Sequence, residues 1–226
     1  MTFLPQLDYQ VWILALGRLL SQIGSGFTLF YAPIFFVNQV GLSATAVGHG
    51  LGSASISGII GRILGGSFVD SPYWGRKRTL LLSAAICAIA ALILAAAANF
   101  LTLVAGNLIM GLGIGLYWPA TEAVVADLTR EDQRNEAYAL TRLADNIGLG
   151  LGVVLGGILI QATGAYRALF VIDAASFAVF GGVIYAVIHE TRQSTSQQYP
   201  ALDGWLIALR DQRLLVYVLL NILFTT

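Results

Sequence analysis

The chain has 226 residues, 57% of them hydrophobic and 11% charged, with acidic and basic side chains in equal number. A soluble domain carries roughly 25% charged residues, so this much apolar surface needs a bilayer as its solvent, and the mean hydropathy of +0.78 agrees. Zero net charge argues against the basic face that a nucleic-acid partner requires, and a single cysteine, Cys87, excludes an internal disulfide. The segment 1–9 contains no Lys or Arg and runs into a long apolar stretch without a small-residue cleavage site, so no cleavable signal is expected.

A hydrocarbon core of about 30 Å needs about 20 apolar residues in a helix. On that basis the sequence predicts spans at 10–37, 44–69, 79–98, 101–126, 137–162 and 167–188. A further apolar run, Leu214 to Phe224, reads as the start of a seventh helix. At about 1.5 Å per residue it is too short to cross, which marks the chain as part of something longer. Arg76, Lys77 and Arg78 follow span two, Arg130 and Arg134 follow span four, and Arg192, Arg210 and Arg213 follow span six. The opposite loops are short and free of Lys and Arg, with Arg167 at one edge. The positive-inside rule then places the N-terminus and the even-numbered loops in the cytoplasm. Gln193 to Gly204, rich in Ser, Thr, Gln, Pro and Gly, reads as a linker. Trp205 to Arg210 after it reads as a short amphipathic interfacial helix. The expected organisation is a six-helix domain over 1–190, a cytoplasmic linker over 191–213 and a truncated seventh span over 214–226.

Gly61-Arg62-Ile63-Leu64-Gly65-Gly66 in span two and Gly152-Val153-Val154-Leu155-Gly156-Gly157 in span five lie 91 residues apart (152 − 61). The same offset relates Gly24 to Gly115 and Arg76 to Arg167. Spans two and five run in opposite directions, so the two three-helix units are expected to be inverted repeats, one known plan for secondary transporters. Gly148, Gly152, Gly156 and Gly157 make a smooth stripe on span five. Glycine at such spacing lets helix backbones approach closely. The stripe serves either static packing or, taken as a set, an interface that slides.

Several of these segments resemble the major facilitator superfamily. Gly66-Ser67-Phe68-Val69-Asp70 followed by Gly75-Arg76-Lys77-Arg78 is similar to its G-x-L-A-D-R-x-G-R-K signature, with Ser71 for the usual Arg and four residues, 71–74, where two are usual. Gly111-Leu112-Gly113-Ile114-Gly115 resembles the glycine-rich part of helix four, with Asn107 where the family has Arg. Pro119 through Leu128, with Arg134 and Ala137, resembles the four–five loop. Gly148 through Gly157 resembles the antiporter signature of helix five, with Val153 for Pro; Tyr166 to Phe170 resembles the opening of helix six, and Leu209 to Arg213 the approach to helix seven. The resemblance implies an all-α membrane protein, the six-helix N-terminal half of a twelve-helix transporter built from two inverted three-helix repeats. It leans toward the drug–proton antiporter branch.

Its implied function is alternating access, with ion-coupled efflux of a small hydrophobic compound across the cell (inner) membrane. Uptake or facilitated diffusion of a polar metabolite is the rival that Asn107 keeps alive. The expected partners are a small-molecule substrate, protons, the lipid bilayer and the missing C-terminal six-helix half. No cofactor is expected. An enzyme would need a metal cluster or a nucleophile with its base, and the sequence has no H-E-x-x-H, no G-x-S-x-G and only two distant histidines, His49 and His189. A non-transporting receptor is a third reading.

An ionisable side chain at the centre of a membrane helix costs at least about 2.5–3.5 kcal/mol on insertion scales, so each one is a site candidate. The resemblance assigns Gly66, Asp70, Gly75, Arg76 and Lys77 to a gating latch, with Asp127 as partner of Arg76; ordinary charge anchoring is the alternative. Arg18 lies about two turns into helix one, and Asp145 lies at similar depth in helix five, with Arg142 three residues before it. Either an Arg18–Asp145 or an Arg142–Asp145 pair would satisfy these charges, as a structural bridge or as part of substrate or proton binding. Asp145, then Glu122 and Asp173, are the coupling candidates. Phe27, Tyr31 and Trp118, with Phe30 and Tyr117, are candidate cavity aromatics, suited to a lipophilic cation.

Overall fold

The computed structural model describes residues 7–191, 210–212 and 216. The chain falls into two compact units, Met1–Arg192 and Gln193–Thr226. In the second, Arg210, Gln212 and Val216 are helical and exposed. The expected linker, interfacial helix and seventh span otherwise lie outside the described residues. The first unit holds six helices: α1 (Tyr9–Asn38), α2 (Ala44–Asp70), α3 (Gly75–Ala96), α4 (Phe100–Leu128), α5 (Arg134–Thr163) and α6 (Tyr166–Val187). A single 3-10 turn, Glu131–Gln133, precedes α5.

Local chemistry sets the helix ends. The Asp8 side chain accepts from Gln10 N at 2.8 Å and that of Ser43 from Ala46 N at 3.2 Å. Asn99 and Thr102 form a reciprocal capping box. Each cap satisfies N–H groups that the first turn leaves without partners. α5 stops at Gly164, whose left-handed backbone (φ +65) returns its N–H to Ile160 O at 2.7 Å. Five of the six helices are long and apolar enough to cross a membrane. α2 is not among them, because seven glycines and four serines dilute its 27 residues.

Helix partners follow the expected inverted repeat. α1 packs on α5 and α6, α4 packs on α2 and α3, and α3 meets α6. Glycine makes both main crossings. A Cβ on Gly115 would stand 2.7 Å from Gly61 Cα, and one on Gly152 would stand 3.0 Å from Gly26 Cα. Side chains are absent there because backbone meets backbone, the usual way membrane helices gain dispersion contact without a hydrophobic drive. Carried over by the 91-residue offset, the Gly61–Gly115 contact would set Gly152 on Gly24, whereas the observed partner is Gly26. Gly24 instead faces Asp173 and Ser176 of α6. The repeats therefore share helix order and crossing chemistry, with a two-residue shift in register.

Buried side chains form two clusters. One, with Phe35, Phe36, Leu94, Leu103 and Phe170, gathers toward the end of the bundle that carries Arg167. The other, with Val11, Leu14, Leu80, Val124, Ile184 and Ile188, gathers toward the opposite, basic end that carries Arg76. At the Arg167 end that guanidinium donates to Ala95 O and Ala97 O and lies 5.2 Å from the Phe35 ring centre. It thus ties the start of α6 to carbonyls that the end of α3 leaves open.

Candidate functional site

A cavity of about 320 Å³ lies among the helices where the two core clusters part. α1 contributes Ser21, Ser25 and Thr28, α3 contributes Ser83 and Cys87, and α4 contributes Asn107, Met110, Tyr117 and Trp118. α6 supplies Asp173, Phe177 and Phe180. Most of the lining is apolar or hydroxyl-bearing, and Asp173 is its one charged residue among those described. The volume falls at the low end of the range for pockets that enclose drug-sized ligands. Asn107 sits at the position where the family resemblance implies arginine. Its amide donates to Leu103 O at 2.9 Å, so the side chain folds back on its own helix.

Beside the cavity lies a buried charge network. Arg18, 0% exposed, donates from Nε to Asp145 Oδ1 at 3.0 Å and from NH2 to Asp145 Oδ2. Its NH1 reaches Thr121 Oγ1 of α4 at 3.3 Å. A planar guanidinium meets a carboxylate best in this two-pronged way. One arginine so joins α1, α4 and α5 at a depth of about 14 Å from the start of α1. The guanidinium also stands 5.6 Å from the Tyr117 ring centre and 5.8 Å from that of Trp118, both on the cavity wall. Arg142 does not join this network. It donates to Glu122 Oε1 at 2.8 Å and lies 4.7 Å from the Trp118 ring centre, which corrects the Arg142–Asp145 alternative. Residues 142 and 145 are near neighbours along the helix, but Asp145 is turned inward and Arg142 is exposed.

The candidate aromatics divide between two places. Trp118 and Tyr117 line the cavity, but Phe27 and Tyr31 pack on the glycines of α5. A Cβ on Gly156 would meet both rings, and the Tyr31 hydroxyl donates to Val153 O at 2.8 Å beside Gly157. Gly148 likewise receives α1 at Leu19 O. The stripe on span five is therefore the seat of α1, and the aromatics that fill it are turned away from the cavity.

At the basic end, Arg76 Nε lies 2.9 Å from Asp127 Oδ2, an ion pair by distance although Nε is off the hydrogen-bonding direction. Arg76 NH1 donates to Val69 O at 3.1 Å, and Thr191 Oγ1 donates to the same Asp127 oxygen at 2.9 Å. Glu190 caps α3, accepting from Arg76 N at 2.9 Å and Lys77 N at 3.2 Å. A carboxylate is favoured at this positive helix end. Lys77 reaches Tyr185 O at 2.9 Å and takes no part in the Arg76–Asp127 pair. Asp70 is exposed with no ion pair among the described residues, and Gly66 faces open space. Sequence reading missed Glu190 and Thr191, because nothing in a chain pattern brings the end of α6 to the start of α3.

Gly75 is required here twice over. Its φ is +77, and a Cβ would collide with the Glu190 carboxylate. Gly75→Ala is expected to destabilise the full-length protein by about 1–2 kcal/mol from the left-handed backbone alone. An unchanged melting temperature of the purified variant would show that this clasp contributes nothing to the fold.

The model of the Major Facilitator Superfamily matches residues 14–226. The chain belongs to that superfamily. Among curated relatives, the multidrug resistance protein MdtH of Yersinia enterocolitica is 30% identical over 210 residues, covering 92% of this chain and 51% of its own length. An uncharacterized MFS-type transporter of Bacillus subtilis, YqjV, is 27% identical over 173 residues, covering 76% of this chain and 41% of its own. The chain thus spans about half the length of the curated relatives it matches. Solved transporter structures show the same fold. The peptide transporter POT (E310Q mutant) in complex with sulfate aligns with a TM-score of 0.68 at 16% identity, over 98% of this chain and 48% of that one. The human organic anion transporter MFSD10 aligns with a TM-score of 0.67 at 21% identity, over 84% of this chain and 49% of that one. The superfamily half seen here is a multi-pass membrane protein in which the buried Arg18–Asp145 pair adjoins the cavity.

Proposed function

We propose that the chain is the N-terminal half of a secondary active transporter that expels a small hydrophobic, drug-like compound in exchange for protons, by alternating access. The observation that carries this reading is the apolar cavity with a buried, bidentate ion pair against its wall. An apolar cavity accepts an apolar substrate, and ionisable side chains buried within membrane helices mark substrate or ion pathways. The multidrug name borne by a relative supports the same substrate class. In this reading the protein lies in the cell membrane with the basic end in the cytoplasm. Arg76 and Asp127 close that end, held by Glu190 and Thr191. The C-terminal half supplies the other wall.

The test is efflux of a lipophilic cationic dye from cells that express the full-length protein, with and without a protonophore, beside Asp145→Asn at matched amounts in the membrane. Efflux that the protonophore abolishes and that the variant loses is the expected result. Dye retention equal to that of cells lacking the protein would reject hydrophobic efflux and favour transport of a polar metabolite.

A further inference from the structure

Asp145 and Asp173 are both buried carboxylates, yet only Asp145 has a cation. Asp173 is 1% exposed, on α6, in the wall of the cavity. Its Oδ2 accepts from the Thr28 hydroxyl of α1 at 2.6 Å, and its Oδ1 has no hydrogen-bond partner. No Lys, Arg or His is among the residues that line the cavity. The nearby Ser176 hydroxyl is turned to backbone, donating to Asp173 O at 2.8 Å and to Ser21 O at 3.5 Å. α1 makes room for the group with Gly24, where a Cβ would stand 2.7 Å from Asp173 Oδ1.

A buried carboxylate without a cation is costly, and in a membrane protein such a group marks a site. What it lacks is one positive charge bearing hydrogen-bond donors. What surrounds it is an apolar cavity with aromatic rings at Tyr117, Trp118, Phe177 and Phe180. A lipophilic amine has both halves of that complement: an ammonium with two or three N–H donors, and an apolar or aromatic body. We propose that Asp173, with Thr28, is the binding site for the ammonium group of a lipophilic primary or secondary amine whose body fills the cavity between α1 and α4. This inference rests on the transporter reading for its biological sense, although binding itself does not require transport.

The test is equilibrium binding to the purified full-length protein by isothermal titration. Naphthylethylamine is the probe and naphthylethanol its uncharged analogue. The wild type is expected to prefer the amine. Asp173→Asn is expected to weaken the amine by about tenfold or more while the alcohol stays within about twofold. Retained alcohol binding shows that the variant is folded. Where Asp173→Asn does not fold, Thr28→Val carries the comparison, with a loss of about threefold or more for the amine alone. Equal affinity of the wild type for amine and alcohol, or an amine affinity unchanged in the variants, would overturn the assignment. So would displacement of the amine by sodium, but not by choline, at constant ionic strength, since that marks an inorganic cation site. Amine binding that depends on Asp173 in a protein that moves no dye would keep this site and reject the efflux reading. Dye efflux with an Asp173-independent amine affinity would do the reverse.

Discussion

Replacing Arg18 by methionine is expected to cost the full-length protein about 3–5 kcal/mol, because it strands the Asp145 carboxylate in a dry interior. The pair is well made: two nitrogens of Arg18 meet two oxygens of Asp145, and a third nitrogen holds Thr121. The expense lies in breaking it, not in lacking it. Exchanging a buried pair for apolar side chains of similar volume is often neutral or stabilising. The double variant Arg18→Met with Asp145→Leu is therefore expected to recover membrane accumulation and thermal stability while staying inactive in dye efflux. This separates the two roles that a buried charge pair can have. Full efflux by the double variant would leave the pair a purely structural bridge and would remove Asp145 from proton coupling.

The second large effect is expected at the helix crossings. Gly115→Leu places carbon into the backbone of α2 at Gly58 O and Gly61 Cα, and Gly152→Leu does the same to α1 at Gly26 Cα. A flexible side chain can swing aside from an intruding methyl group, but backbone cannot. Either variant is expected to lose about 3 kcal/mol or more, the upper range for overpacking. In the purified full-length protein this should appear as aggregation on size exclusion or a large fall in melting temperature. Gly182→Ala is the control, since nothing lies within 4 Å of a Cβ there. It is expected to be neutral or to gain up to about 1 kcal/mol from helix propensity. Equal behaviour of Gly152→Leu and Gly182→Ala would contradict the close approach of α1 and α5.

Much of this was legible in the chain itself. Each of the six predicted spans between residues 10 and 188 lies within a few residues of an observed helix, because apolar runs between turn-forming and charged segments are strong signals at membrane length. The inverted repeat was legible because Gly61, Gly115 and Gly152 stand where helix backbones touch. Rotation about the helix axis was the harder matter. Spacing leaves Asp145 open to either Arg18 or Arg142, and only packing on α1 decides that Asp145 turns inward and Arg142 outward. Phe27 and Tyr31 were assigned to the cavity because aromatic residues suit one, and the same property suits them to fill the hollows that Gly156 and Gly157 leave. Glu190 and Thr191 carried no signal at all, since their role depends on two ends that meet only after folding.

The dilute hydrophobicity of α2 has a consequence for how the protein is made. This helix is the one that length and composition alone do not commit to the membrane, and its chief partner is α4. Gly61 and Gly65 find their backbone seat on Leu112, Gly115 and Leu116, which the ribosome reaches only later. After the end of α2 at Asp70, 58 residues (128 − 70) are added to reach the end of α4 at Leu128. At the usual pace of synthesis that is roughly 3–12 seconds. For that interval α2 lacks the partner that seats its glycines, so nascent chains cut short before α4 should hold it least securely. Biogenesis of this half is then expected to be a matter of timing, with α4 securing a helix made two spans before it.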